Sequence, residues 1–143
     1  MIKKMALCAV LLFIVASAYG QNAPSWPCSD DLTKSEGDSR RVRVSLGVME
    51  TLAQHKALPD VSDLKGTKLS STVILGVIIG KDGTVRCADP VRGDTDLFPR
   101  SVEAARQWRF RPYLLNGQPI MVSTMIEFVF KKGKVTAQAV NNL

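Results

Sequence analysis

Residues 72–91 constrain what this chain can fold into more than any other stretch. Thr72 to Ile79 is a β-branched and apolar run, Gly80-Lys81-Asp82-Gly83 supplies a turn, and Thr84 to Val91 follows as a second strand. Asp-Gly between two such runs is a strong short-range signal for an antiparallel hairpin, because Asp82 and Gly83 tolerate the positive φ of a tight turn. The first run is apolar on both faces, with Val73, Leu75, Val77 and Ile79 on one and Ile74 and Ile78 on the other. A strand of that kind is normally covered twice, so one face calls for a helix and the other for an N-terminal segment or a partner. Pro90 has no N–H to give a ladder, which ends the second strand there or puts it at a sheet edge.

Further along, Leu97 to Arg109 reads as one amphipathic helix. Phe98, Val102, Ala105 and Trp108 fall on one stripe, with Arg100, Glu103, Arg106 and Gln107 away from it. Asp96 is the expected N-cap, Pro99 is tolerated in the first turn, and Pro112 stops any continuation. Asn116-Gly117 marks another hairpin turn. Pro119 to Phe130 then alternates as a long strand through Ile120, Val122, Thr124, Ile126, Phe128 and Phe130. Upstream, Val42, Val44, Leu46 and Val48 alternate with Arg43, Ser45 and Gly47, which is also a strand pattern. Met49 to Leu58 fits either a short helix or an irregular edge. The chain after Lys131 carries no clear signal. This order predicts a two-layer α+β domain, a short antiparallel sheet of about three strands packed on one main helix.

Three stretches together resemble the C-terminal domain of the TonB family. Ser71 to Val85 looks like its opening hairpin, with Asp82 and Gly83 at the turn. Ala104 to Pro112 resembles the end of its helix, with the aromatic-Arg-aromatic run Trp108-Arg109-Phe110 ahead of Pro112. Tyr113 to Pro119, turning at Asn116-Gly117, and the strand ending at Phe130 complete a match over about residues 66–130. The domain is accordingly expected over 42–133, with a tail over 134–143. One departure stands out: where the family usually has Pro-x-Tyr-Pro ahead of the first hairpin, this chain has Leu58 to Leu64 without a tyrosine. The resemblance implies a periplasmic domain that engages a protein partner through its sheet. In the family, the energy transducer grips a short outer-membrane receptor segment, which adds as a strand. Applied here, the long last strand with an open edge would be the docking site, at Val122, Thr124, Ile126 and Phe128. The competing reading makes that strand internal, or paired in a homodimer, with the same residues serving as core.

The N-terminus sets the compartment. Lys3 and Lys4 precede an unbroken apolar stretch from Met5 to Val15, then Ala16-Ser17-Ala18 or Ala18-Tyr19-Gly20 offers a small-x-small cleavage pattern. Residues 1–20 therefore read as a signal peptide, and the stretch is about half of the roughly 20 residues a bilayer span needs. An uncleaved inner-membrane anchor is the alternative, and only that version associates with the membrane. Residues 21–41 read as a flexible polar leader, at most about 70 Å long when extended. Cys28 and Cys87 then form an even pair in an oxidising compartment, either a disulfide or two unrelated thiols, one a small core residue on a strand.

The enzyme classes lack their parts. His55 is the only histidine, no G-x-S-x-G pattern accompanies it, and no spacing suits a metal or a cofactor phosphate. Asp60, Asp63, Asp82, Asp89, Asp94 and Asp96 are turn-type acids. Without Lys3 and Lys4, 17 basic residues face 13 acidic ones, with no run of like charge to suggest nucleic acid. Two non-enzymatic readings remain, a periplasmic protein-binding module and a membrane-anchored energy transducer serving outer-membrane transport.

Overall fold

The computed structural model describes residues 41–65 and 68–139. A two-residue strand, β1 (Val42–Arg43), leads through Ser45 into helix α1 (Leu46–Leu52). Ser45 caps the helix: its hydroxyl accepts from the Val48 N–H at 3.4 Å and so satisfies a first-turn donor. This corrects the strand expected over Val42, Val44, Leu46 and Val48. Leu46 and Met49, three residues apart, are both buried while Val48 is 46% exposed, which is a helical period and not a strand's. Beyond α1, β2 (Ala53–His55) follows at once, and a single 3-10 turn (Ser62–Leu64) comes before the long β3 (Ser70–Ile79).

β4 (Val85–Arg92) returns from β3 through the Asp82-Gly83 turn. Gly83 has φ +80°, and a Cβ there would overlap the Phe110 carbonyl oxygen, so no other residue fits without rearrangement. A second 3-10 turn (Thr95–Leu97) then runs into α2 (Phe98–Arg106), which carries Pro99 in its first turn. The cap is Asp94 and not Asp96: its carboxylate accepts from the Asp96 N–H at 3.1 Å, because the 3-10 turn starts the helical path early.

Helix α2 also stops short of the expected Arg109. The reason is tertiary: β5 (Arg109–Phe110) pairs antiparallel with β2, and the Phe110 N–H donates to the Gly83 carbonyl at 2.9 Å. The hairpin of β6 (Leu114–Leu115) and β7 (Gln118–Pro119) turns at Asn116-Gly117, where both residues have positive φ. After β8 (Val122–Lys131) the chain turns again at Lys132-Gly133, also both positive in φ, and returns as β9 (Lys134–Ala139).

The main sheet therefore has five strands, not about three. Its order is β1-β8-β3-β4, with β9 also pairing β8 on the side of β1. β3 and β8 run antiparallel from Ser70↔Lys131 to Ile79↔Val122, whereas β1 is parallel to β8 at Val42↔Val122 and Arg43↔Ser123. β4 is an edge strand, which is where Pro90 can be tolerated. Two α-helices, not one, are present among the described residues, and both bury side chains in the same cluster. Val73, Leu75, Val77 and Ile79 of β3 and Val122, Ile126, Phe128 and Phe130 of β8 meet Leu46, Met49, Val102 and Ala105 there. Loss of one such ring, Phe128→Ala for example, typically costs about 3–5 kcal/mol. On the other face of the sheet a separate small cluster holds Ile78, Cys87 and Met121, with no helical residue in it.

Candidate protein-docking edge

Val122, Thr124, Ile126 and Phe128 are all buried, at 0%, 4%, 0% and 0% exposure. Their strand is paired with β3 along one side, and with β1 and then β9 along the other. The open edge expected at these four residues is not there. The returning β9 fills it, and the four side chains point into the helix-covered core.

The edge that is open lies one strand further out. β9 pairs only with β8 among the described residues. In a two-residue hairpin closed by Lys131 and Lys134, the closing pair exchanges both backbone bonds, and so does every second pair after it. Val129–Thr136 and Glu127–Gln138 are then the bonded pairs, which leaves the N–H and C=O of Val135 and Ala137 on the outer edge. The same parity sends the Ser123 carbonyl outward on β8, and there it does accept the Val44 N–H at 2.9 Å. Along β9, Val135 and Ala137 rest on the core while Lys134, Thr136 and Gln138 are exposed. Gln138 Nε2 donates to Glu127 Oε2 at 2.9 Å across the bonded pair, and the Lys132 N–H donates to the Leu69 carbonyl at 3.0 Å, so strand and turn are both fastened. Lys131, Lys132 and Lys134 make the turn end of this edge basic.

The other motif residues are structural. Trp108 is wholly buried, its indole N–H donates to the Ala57 carbonyl at 2.8 Å, and its ring meets Phe128 edge-on at 6.1 Å between centroids. With no exposed face it offers nothing for a base to stack on. Phe110 is packed beside it at 6.0 Å. Arg109 folds back, donating to the carbonyls of Arg106 at 2.9 Å and Trp108 at 2.7 Å. His55 stands exposed opposite Arg109, and among the described residues no three His, Cys, Asp or Glu side chains gather as a metal site would need. Cys87 is buried on β4 and disulfide-bonded, while Cys28 lies outside the described residues, as do the segments 1–20 and 21–40.

The turn acids are engaged locally. Asp82 accepts from the Thr84 hydroxyl at 2.8 Å and its N–H at 3.1 Å, and these bonds hold its carboxyl below the ordinary 3.8. Asp60 is lowered first by the Ser62 N–H, and Asp63 by its bidentate pair with Arg100 at 2.7 and 2.9 Å. Arg100 also donates to the Asp60 carbonyl at 2.7 Å, so it ties α2 to the segment that lacks the tyrosine.

A sequence profile of the Gram-negative bacterial TonB protein C-terminal domain matches residues 55–131. The chain belongs to this family. TonB C-terminal domains are transducer and interaction domains that face the periplasm, not enzymes, and the partners they serve are outer-membrane transporters. The matched residues run from the end of β2 to the end of β8, so β1, α1 and the open edge of β9 flank the TonB match. Neither the curated proteins nor the solved structures yield a match to the chain.

Proposed function

We propose that this domain is a periplasmic protein-docking module that takes a partner segment as an added strand along β9. The observation that carries the reading is the row of backbone groups at Val135 and Ala137, outward-facing and without a partner strand among the described residues. An extended peptide placed there gains main-chain hydrogen bonds, while Lys134, Thr136 and Gln138 on one face and the α1 side on the other select its side chains. Family membership supplies the partner class, a short periplasm-facing segment of an outer-membrane transporter.

The test is an amide NMR titration of the domain with a synthetic peptide of that segment from a transporter of the same cell. Shifts centred on Val135 to Gln138, with new protection of the Val135 and Ala137 amides, support the reading. Shifts centred on β4, or none at millimolar peptide, overturn it.

Membership in the family equally supports the second reading, in which residues 1–20 stay uncleaved and the same edge serves an energy transducer. Among the described residues no helix is long and apolar enough to cross a membrane, and that segment lies outside them. Intact mass of the protein from fractionated cells separates the two. A soluble species starting near Tyr19 or Gln21 selects the free module, and a full-length species in the inner-membrane fraction selects the transducer.

A further inference from the structure

The hairpin of β6 and β7 carries the wrong side chains for a tip in water. Its base is rooted: Tyr113 and Ile120 pack against the core, and the Ile120 N–H donates to the Tyr113 carbonyl at 3.0 Å. Beyond that pair every residue from Leu114 to Pro119 is exposed. Leu114 is 57% exposed and Leu115 45%, and neighbours on a strand point to opposite faces, so each face of the tip presents a leucine. The same end of the sheet is cationic. β3 ends there at Ile79, β8 begins at Val122 and β1 at Val42, which puts Arg43 and Lys81 around the base of the hairpin. Arg111 donates through Nη2 to the Thr51 carbonyl at 2.9 Å, and Arg109 donates to the carbonyls of Arg106 and Trp108. These acceptors are neutral, so both guanidinium charges stay uncancelled. Asp82, the acid of the adjoining turn, is taken by Arg86 at 3.3 Å. Among the described residues the other ion pairs are Lys56–Glu50 and Arg100–Asp63, and none of the three holds Arg43, Lys81, Arg109 or Arg111.

We propose that this end of the domain is a membrane-contact surface. Leu114 and Leu115 enter the interfacial zone of an anionic phospholipid bilayer while Arg43, Lys81, Arg109 and Arg111 meet its phosphates. The depth fits: along an extended strand Leu115 lies about 13 Å past Arg111. That is enough to carry the leucines the roughly 5–10 Å by which interfacial segments bury their apolar side, with the cations still among the headgroups. The area fits as well. A stable protein interface takes about 800 Å² from each side and a packed centre, which a two-leucine tip ringed by cations does not offer. An anionic surface instead rewards each cation that comes within about a Debye length of it. The contact needs no spanning segment, so it serves a cleaved module and an anchored transducer alike. The Lys132-Gly133 turn lies at the opposite end of β8 from the hairpin, so a domain seated by its leucines keeps the start of β9 directed away from the bilayer. This holds whichever partner docks on β9.

Amide NMR of the full chain tests this on nanodiscs of phosphatidylcholine, alone or mixed with phosphatidylglycerol, each with a trace of nitroxide-tagged lipid. On the anionic discs the Asn116 and Gly117 amides at the tip are expected to broaden several-fold more than that of Leu75 in the core, and to recover in high salt. Leu114→Ser combined with Leu115→Ser should weaken this binding at least about tenfold. Arg43→Gln should weaken it about fivefold. Neither variant should move Tm, because all three side chains are exposed in the folded domain. Equal broadening on neutral discs, or no loss in either variant, overturns the proposal. So does a tip that stays sharp on every disc, including one whose signals move only with protein concentration, as docking of a second copy would make them.

Discussion

The two edges of the sheet are built differently. β4 is tied down: its register to β3 shifts between Ile74 and Leu75 and again between Ile78 and Ile79, and Pro90 removes a donor. Cys87 is bonded away from the strand, and the turn that feeds it is locked to β5 through Gly83. β9 has an unbroken register over its whole length, no proline, and a turn fastened by one hydrogen bond to Leu69. Irregularity, proline and covalent ties are how proteins keep an edge from templating another strand. One edge therefore carries the usual protections, and the other carries only lysines at its turn end. The regular border is the one that can template an added strand, and the proposed docking rests on it.

The heaviest blow to this contrast is Gly83→Val. Its side chain has no room beside the Phe110 carbonyl and its φ is unfavourable, so a loss above about 4 kcal/mol is expected, and circular dichroism should find no cooperative melt. Next comes Cys87→Ala, expected to lower stability by roughly 2–4 kcal/mol while leaving peptide docking on β9 intact. Urea melts and the peptide titration together check that separation.

Prolines on β9 sharpen the comparison from the other side. Thr136→Pro removes a ladder bond to Val129 and should cost roughly 1–3 kcal/mol. Ala137→Pro removes a donor that faces outward, so thermal stability should fall less while peptide binding is lost. Equal stability losses for the two would show that the edge parity is wrong.

A smaller effect concerns acid. The Thr84 bonds hold the Asp82 carboxyl below 3.8, so the folded state favours the charged form. That contribution is complete above 3.8 and disappears as pH falls below it through the folded value. Thr84→Val should lower Tm slightly at neutral pH and change it little in acid, which flattens the acid limb of a Tm-against-pH curve. Smallest is Thr124→Val on β8, inside the sheet. The Thr124 hydroxyl is buried with no hydrogen-bond partner among the described residues, so an isosteric apolar side chain should raise stability, by up to about 1 kcal/mol. A drop instead would mean that the hydroxyl has a bound water.

Much of the centre of the fold is legible in sequence, and its borders are not. Asp82-Gly83 and Asn116-Gly117 announce their hairpins, and the alternation from Val122 to Phe130 matches the burial of β8 residue for residue. Lys132 is not a residue that signals positive φ, and β9 offers just Val135 and Ala137 among polar neighbours, so the turn and the strand after it pass unnoticed. Sequence alone therefore points to β8 for the open edge. Val135 and Ala137 spaced two apart behind Gly133 are the trace that could have found it. α1 is disguised by Val42, Val44, Leu46 and Val48, which satisfy a period of two until Ser45 caps a helix. The helix boundary at Arg106 depends on β2, distant in sequence, pulling Arg109 and Phe110 into a ladder.

The brevity of β1 has a mechanical side. It meets β8 over two residues, reinforced by the bond from the Val44 N–H to the Ser123 carbonyl, whereas β3 and β8 are zipped over their full length. With the Cys87 disulfide reduced, tension arriving along the chain from the N-terminal side loads that clasp first, and a clasp so short yields long before the central ladder does. The sheet would then stay whole under a pull while its entry point lets go, as a fuse does in a circuit.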